Sequence, residues 1–166
     1  MHSFTTERLS IRLLTEQDKN LYISLYTDAK IMRNIGEPLS IDNAEKAFRK
    51  TLKAIKKEKP TVMIWAIVSL ENNNCIGIQA LNWQNSDTPE IGIMLLRHSN
   101  GKLLPEEAMG ALMEYAFNNL SINTINASYA KKNFQNAIRG KLFGLFEDKT
   151  GNVGGNRKRV GKTQGF

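Results

Sequence analysis

The sequence predicts an α/β fold: a mixed, mostly antiparallel sheet that contains one parallel β-α-β unit. Three observations predict it. Thr61–Val68 and Cys75–Leu81 are rich in β-formers and are separated by the turn signal Glu71-Asn72-Asn73-Asn74, which reads as a hairpin. Glu90–Leu96 and Ile122–Tyr129 read as strands on either side of a helical stretch, Leu103–Leu120; such a pair is normally parallel, with a right-handed crossover. Between an alternating first strand and the hairpin, apolar residues recur at helical spacing. With 166 residues the chain has the length of about one domain and can bury a substantial core.

Taken in order, Leu9-Ser10-Ile11-Arg12-Leu13 alternates apolar and polar residues, the pattern of a half-buried strand. Thr15-Glu16-Gln17-Asp18 has the hydroxyl-then-acid order of a helix start. Leu21, Leu25 and Tyr22 or Tyr26 then recur at helical spacing, a short helix covers Asp28 to Asn34, and Gly36-Glu37-Pro38 breaks it. Asp42 or Asn43 caps the next helix, with Ala44, Ala47, Phe48, Leu52 and Ile55 as its apolar stripe and Lys46, Lys50, Lys53 and Lys57 as a solvated face. Pro60 ends it. After the hairpin, Glu90-Ile91-Gly92-Ile93-Met94-Leu95-Leu96 is nearly continuously apolar, as expected of a buried central strand. Pro105, Glu106 and Glu107 suit the first turn of the following helix. Asn133 or Asn136 starts a last helix, which runs to about Phe143. Thr150–Phe166 has five glycines and only three apolar side chains, the composition of a flexible tail.

Composition narrows the function. Lys and Arg number 23 and Asp and Glu 16, a formal charge of +7. Five of those cations, Lys149, Arg157, Lys158, Arg159 and Lys162, lie in the last 18 residues, which hold no acid. The other 148 residues carry only +2, so the body offers no nucleic-acid footprint of its own. A contact with RNA or the ribosome is expected only through the tail. The single cysteine, Cys75, excludes an internal disulfide and reads as a small buried hydrophobe. Two histidines and scattered acids give no metal-ligand spacing. No stretch is long enough to span a membrane, and the N-terminus lacks the order of a secretory signal, so a cytoplasmic location is the expectation.

A strand, a polar loop with glycine and a helix start together form an anion-binding arrangement, because free N–H groups and the helix dipole face whatever sits in the loop. Here the loop is His98-Ser99-Asn100-Gly101-Lys102-Leu103, which would suit a pyrophosphate, with Lys102 adding charge.

From Thr6 to Leu145 the chain also resembles the GNAT superfamily of N-acetyltransferases, most of all the branch of ribosomal-protein N-terminal acetyltransferases. Thr6-Glu7-Arg8-Leu9-Ser10-Ile11-Arg12-Leu13-Leu14 with Asp18 resembles the branch's first strand and helix start. Ile31-Met32-Arg33, Trp65-Ala66-Ile67, Ile76-Gly77, Glu90–Leu96, Glu107-Ala108, Tyr115-Ala116-Phe117, and Asn133 with Lys141 and Gly144 follow in the family's order and spacing.

The resemblance implies a GNAT-like sheet with helices on both faces and acetyl-CoA wedged between two splayed strands. It implies direct transfer of acetyl to a primary amine, either a protein N-terminus or a small amine. Backbone of Met94, Leu95 and Leu96 would pair with the pantetheine arm, one N–H polarising the thioester carbonyl. The family's pyrophosphate loop maps onto His98, Asn100, Gly101, Lys102, Leu103 and Leu104, and a family asparagine that contacts the cofactor arm maps onto Asn133. The family serine near the sulfur maps onto Asn136. His98 stands where Gln or Arg is usual, Leu103 where a small residue is usual, and Gly140 where many members carry a general-acid tyrosine. Glu90 at the start of its strand is the candidate to take the ammonium proton, and Tyr129 is a candidate donor. Trp65 and Trp83 read as core and sheet-edge residues. Residues 1–148 form the expected acetyltransferase-like domain and 149–166 the basic Gly-rich tail. The two further strands usual after the last helix are not expected here. With Leu103 and Asn136, their lack motivates a degenerate, non-catalytic acyl-CoA-binding module as an alternative, and their lack alone a homodimer in which a partner chain completes the sheet edge.

Overall fold

The computed structural model describes residues 2–33, 35–84, 86–99, 101–128, 145–148 and 157–162, with side chains through residue 127. The strands are β1 (Phe4–Thr5), β2 (Leu9–Leu13), β3 (Val62–Ser69), β4 (Cys75–Asn82), β5 (Glu90–Leu95), β6 (Thr124–Ser128), β7 (Leu145–Asp148) and β8 (Arg157–Lys162). The helices are α1 (Lys19–Thr27), α2 (Ala29–Met32), α3 (Ile41–Ile55) and α4 (Leu104–Asn119). All eight strands join one sheet in the order β1-β2-β3-β4-β5-β6-β8-β7. Only β5 and β6 run parallel; every other neighbouring pair is antiparallel. This is the expected mixed sheet with a parallel β-α-β unit.

The sheet has an apolar layer on each face, and β3 feeds both. Met63, Trp65 and Ile67 pack with Leu112, Met113 and Ala116 of α4. Ile64 and Ala66 pack with Tyr22 and Leu25 of α1 and with Phe48 and Leu52 of α3. Burial on both sides is why β3 reads as a continuous apolar run instead of alternating. On α3, Ala44, Phe48 and Leu52 are buried while Lys46, Lys50 and Lys53 are exposed, as their spacing predicts, and Lys57 just beyond the helix is exposed too. Burying Phe48 contributes roughly 1.5–3 kcal/mol. The cap of α3 is Ser40, whose hydroxyl accepts from Asn43 N–H at 3.1 Å, and not Asp42 or Asn43.

Before α1, Glu16–Asp18 form a 3₁₀ turn, and Asp18 is the hub. Its side chain is 2% exposed, accepts from Thr15 N–H at 2.8 Å, and is held by both terminal nitrogens of Arg12 at 2.8 and 2.9 Å. This bidentate pair joins β2 to the start of α1.

Two expectations are corrected. β5 is not uniformly buried: Gly92 is exposed and Ile93 half-buried, because β6 accompanies only the first part of the strand. The residues after Glu147 were expected to lack strands, yet β8 pairs with β6 over five residues, from Thr124↔Gly161 to Ser128↔Arg157, and also with β7. Ladder hydrogen bonds come from main-chain groups, so a strand needs no apolar alternation where its partner supplies them. Arg157-Lys158-Arg159-Val160-Gly161-Lys162 carries no apolar alternation, the feature that marks a half-buried strand in a sequence. The expected last helix and Tyr129 lie outside the described residues.

Candidate functional site

The site begins where β5 and β6 part. Their parallel ladder covers Glu90↔Asn126 and Ile91↔Ala127, whereas β5 stays paired with β4 from Asn82↔Glu90 to Gly77↔Leu95. Among the described residues, β5 from Gly92 onward therefore has a partner on one side only. The ladder fixes which peptide groups are left over. Leu96 N–H donates to Ile76 carbonyl at 2.8 Å, so in this unbroken antiparallel register residues 90, 92 and 94 also face β4. Residues 91, 93 and 95 face the other way, and Asn126 N–H bonds to Pro89 carbonyl on that same side at 2.9 Å. The main-chain groups of Ile93 and Leu95 thus point into the opening.

Glycine makes the close packing behind this edge possible. A Cβ on Gly77 would run into the Met94 carbonyl oxygen and lie 2.6 Å from Leu95 Cδ2 and 2.9 Å from Leu95 Cα.

Past β5 the chain makes a 3₁₀ turn over Arg97–Ser99, closed by Ser99 N–H on Leu96 carbonyl at 2.8 Å. Three residues with positive φ follow: Gly101 at 154°, Lys102 at 53° and Leu103 at 60°. Leu103 is the N-cap residue of α4 and has no capping side chain. Leu104 N–H turns back to Gly101 carbonyl, Pro105 has no N–H, and Glu107 N–H reaches Leu103 carbonyl, both bonds at 3.1 Å. The N–H groups of Lys102, Leu103 and Glu106 have no acceptor among the described residues. Together with the dipole of the 16-residue α4 they form a cradle suited to a phosphate or pyrophosphate. Two consecutive non-glycine residues in the left-handed region each cost roughly 1–2 kcal/mol.

The expected site residues distribute as follows. Leu95 faces the opening with its main chain, but Met94 directs its main chain, and Leu96 its N–H, to β4. Ile93, which the sequence reading did not single out, takes their place. No periodicity could have found it, because which peptide groups are spare depends on the partner strand. His98 and Lys102 are exposed beside the cradle. Leu103 is 64% exposed, so its bulk is not packed into the loop. Leu104 is half-buried against the α4-side layer. Glu90 is half-buried at the start of β5, next to Asn82 and Asn126 in the ladders. Asn100, Asn133 and Asn136 lie outside the described residues.

Neighbouring groups set the electrostatics. Arg97 pairs with Asp28 at 3.3 Å, linking the turn after β5 to the cap of α2. The Ile31 amide, against some desolvation and helped by the Lys30 amide and the charge of Arg97, holds the Asp28 carboxyl below the usual range. Burial raises the Tyr115 phenol on α4. Cys75 is half-buried, 3.9 Å from Arg12, and burial pushes its thiol up. Trp65 is fully buried in the core, and Trp83 is packed against it. Among the described residues no three His, Cys, Asp or Glu side chains gather to hold a metal, and no helix is long and apolar enough to cross a membrane.

The domain model described as "Acetyltransferase (GNAT) domain" matches residues 8–137. The fold is similar to that of an acetyltransferase from Agrobacterium tumefaciens str. C58, with a TM-score of 0.75 and 21% identity over 99% of this chain and 95% of that one. It is similar to an acetyltransferase (GNAT family) from Bacillus anthracis, with a TM-score of 0.72 and 17% identity over 95% of this chain and 96% of that one. It is also similar to spermidine N-acetyltransferase from Vibrio cholerae, solved with CoA and spermine, with a TM-score of 0.68 and 20% identity over 93% of this chain and 95% of that one. These likenesses show the fold and single out no branch. No curated protein matches the sequence. The match of the domain model to most of the chain, on a sheet that parts beside a helix-capped loop, places the protein in the acetyltransferase (GNAT) domain family.

Proposed function

We propose that the protein transfers the acetyl group of acetyl-CoA directly to a primary amine. One observation carries the reading: the spare peptide groups of Ile93 and Leu95 lie on the strand that leads straight into the cradle of Gly101, Lys102 and Leu103. An extended amide-bearing arm with a pyrophosphate at its end matches that order of donors. Leu95 N–H would polarise the thioester carbonyl, and the N–H groups of Lys102, Leu103 and Glu106, with the Lys102 charge, would hold the pyrophosphate. Asn100, His98 and Leu104 belong to the same loop, and Asn133 is proposed to contact the pantetheine arm.

In the reaction the amine nitrogen attacks the thioester carbonyl carbon, the C–S bond breaks, and the thiolate leaves and is protonated. Glu90 is proposed to accept the ammonium proton, directly or through water. Asn136 is proposed to donate a hydrogen bond near the sulfur. Binding both reactants in one cleft supplies proximity, which lowers the barrier without a covalent enzyme intermediate. The acceptor is a protein N-terminus or a small amine, and the spermidine acetyltransferase among the similar structures makes a polyamine the first to try. The ribosomal-protein branch, a cytoplasmic location and an RNA contact through the basic C-terminal residues are further proposals; the homodimer was expected only if the terminal strands were missing, so β7 and β8 remove its ground, and sedimentation at micromolar concentration tests it. The binding-module alternative rested partly on missing terminal strands, and β7 and β8 remove that support.

The test is thermal unfolding with acetyl-CoA and with CoA, on the native chain and on Gly101→Asp, followed by transfer to a panel of amines and peptides. A ligand present at a hundred times its dissociation constant adds about 2.7 kcal/mol. A shift that Gly101→Asp abolishes, with transfer to at least one amine, supports the reading. No shift at millimolar CoA overturns it.

A further inference from the structure

We propose that Thr6, Arg8 and Glu107 form a positioning clamp that holds the Gly101–Leu103 loop in its anion-binding shape, so that donor affinity is set partly by residues that never touch the donor. This inference rests on the acetyl-CoA reading of that loop. Glu107 has both carboxylate oxygens engaged from across the fold: Thr6 Oγ1 donates to Oε2 at 2.9 Å and Arg8 Nε to Oε1 at 3.1 Å. Thr6 is itself fixed to the sheet. Its hydroxyl accepts from Leu9 N–H at 3.0 Å and its amide donates to Leu9 carbonyl at 2.8 Å, and Leu9 is a wholly buried residue of β2. The amide of Glu107, in turn, donates to the carbonyl of the left-handed Leu103. One residue therefore carries the sheet on its side chain and the loop on its main chain.

A second contact fixes the same helix two turns further on. Trp65 Nε1–H donates to His2 carbonyl at 2.7 Å, His2 Nδ1 lies 2.6 Å from Tyr115 Oη, and Phe4 stacks on Tyr115 with ring centres 4.6 Å apart. The segment from His2 to Arg8 thus runs as a strap along α4 from Tyr115 to Glu107. Two points about 12 Å apart on a helix define its position along its own axis.

The clamp does more than keep α4 in place. Ala108, Leu112, Met113 and Ala116 are buried under the sheet and already secure the helix. The clamp acts at the one end that bears the loop, where two strained residues persist only if their surroundings over-determine them. It also has an electrostatic role. A carboxylate in the first turn of α4 would repel an incoming phosphate, and Arg8 offsets that charge.

The experiment uses the full chain with Thr6→Val, Arg8→Met and the conservative Thr6→Ser. Amide exchange without ligand reports the loop directly. The expected result for Thr6→Val and Arg8→Met is faster exchange at the two bonded amides of the loop, Leu104 and Glu107, with residues 112–117 of α4 unchanged. Kinetics compare acetyl-CoA with acetyl-pantetheine, which has no pyrophosphate. KM for acetyl-CoA should rise roughly 2- to 30-fold while KM for acetyl-pantetheine and kcat with either donor stay at the native value. Thr6→Ser should restore both readouts. Unchanged loop exchange, equal losses for the two donors, or failure of Thr6→Ser to rescue overturns the clamp. If the native chain binds no CoA, the acetyl-CoA reading falls, and the exchange result alone decides whether the clamp orders the loop.

Discussion

Gln79 offers the most decisive test of the packing argument. It sits in the middle of β4, opposite Trp65 on one side and Ile93 on the other, and is 1% exposed. Among the described residues, neither its Nε2 nor its Oε1 has a hydrogen-bond partner. Leaving a buried polar group unmatched costs about 1–3 kcal/mol, and Gln79 buries one donor and one acceptor group. Gln79→Met removes both and keeps nearly the same length, and a flexible thioether adapts to a core beside Trp65. A volume-conserving exchange in a core costs less than about 1.5 kcal/mol. The net expectation is stabilisation by about 2 kcal/mol. For a chain of this size that raises Tm by roughly 4–8 °C. Urea titration should show a higher midpoint at unchanged slope, which separates a stability change from a change in compactness. Destabilisation by 1 kcal/mol or more would refute the reasoning, because it would mean that the amide is satisfied, for instance by a buried water between β4 and α4.

Three further outcomes follow from the same structure. Gly77→Ala forces a Cβ into the Met94–Leu95 backbone and should cost about 3 kcal/mol or more, read by denaturant titration or as loss of soluble chain. Leu103→Gly relieves a left-handed side-chain clash worth roughly 1–2 kcal/mol and adds unfolded-state freedom worth roughly 0.4–1, so a thermal melt should show stabilisation by about 0.5–1 kcal/mol. For Asp18, burial alone would raise the carboxyl, but hydrogen bonds from Arg12 and from the Thr15 amide, with the Arg12 charge, hold it below the usual range. A depressed native pKa contributes stability that is complete above the unfolded value near 3.9 and is lost as pH falls below it. Melts from pH 7 down to 2.5 should therefore lose stability below about pH 4. Asp18→Asn should flatten that loss while costing about 2 kcal/mol at pH 7, since it leaves the Arg12 fork half-matched.

The sequence made most of the sheet legible because β2 and the α3 stripe bury apolar side chains at regular spacing and β3 and β4 do so in long apolar runs, and both patterns survive in a string of letters. The β8 strand was illegible for the opposite reason. Arg157–Lys162 joins the sheet by main-chain bonding to β6, which leaves no apolar alternation to read. The anion cradle was half legible. Gly101 and Lys102 before a helix suggested it, but nothing in Leu103 announces a left-handed conformation, which is disfavoured for that residue. At the opening between β5 and β6, the sequence pointed to the right strand and to Leu95 within it, but could not separate Leu95 from its neighbours Met94 and Leu96. The choice between Leu95 with Ile93 and Met94 with Leu96 is decided by which side of β5 is already bonded to Ile76 and its neighbours.

The place of β8 between β6 and β7 sets a timetable for synthesis. Arg157 leaves the ribosome 29 residues after Ser128, which at about 5–20 residues per second means a delay of roughly 1.5–6 s. Throughout that interval one side of β6 waits for a partner that does not yet exist, and an unpaired strand side is a template for wrong pairings. The late-arriving strand carries its own safeguard: the charges of Arg157, Lys158, Arg159 and Lys162 discourage it from pairing with a second copy of itself before it reaches β6.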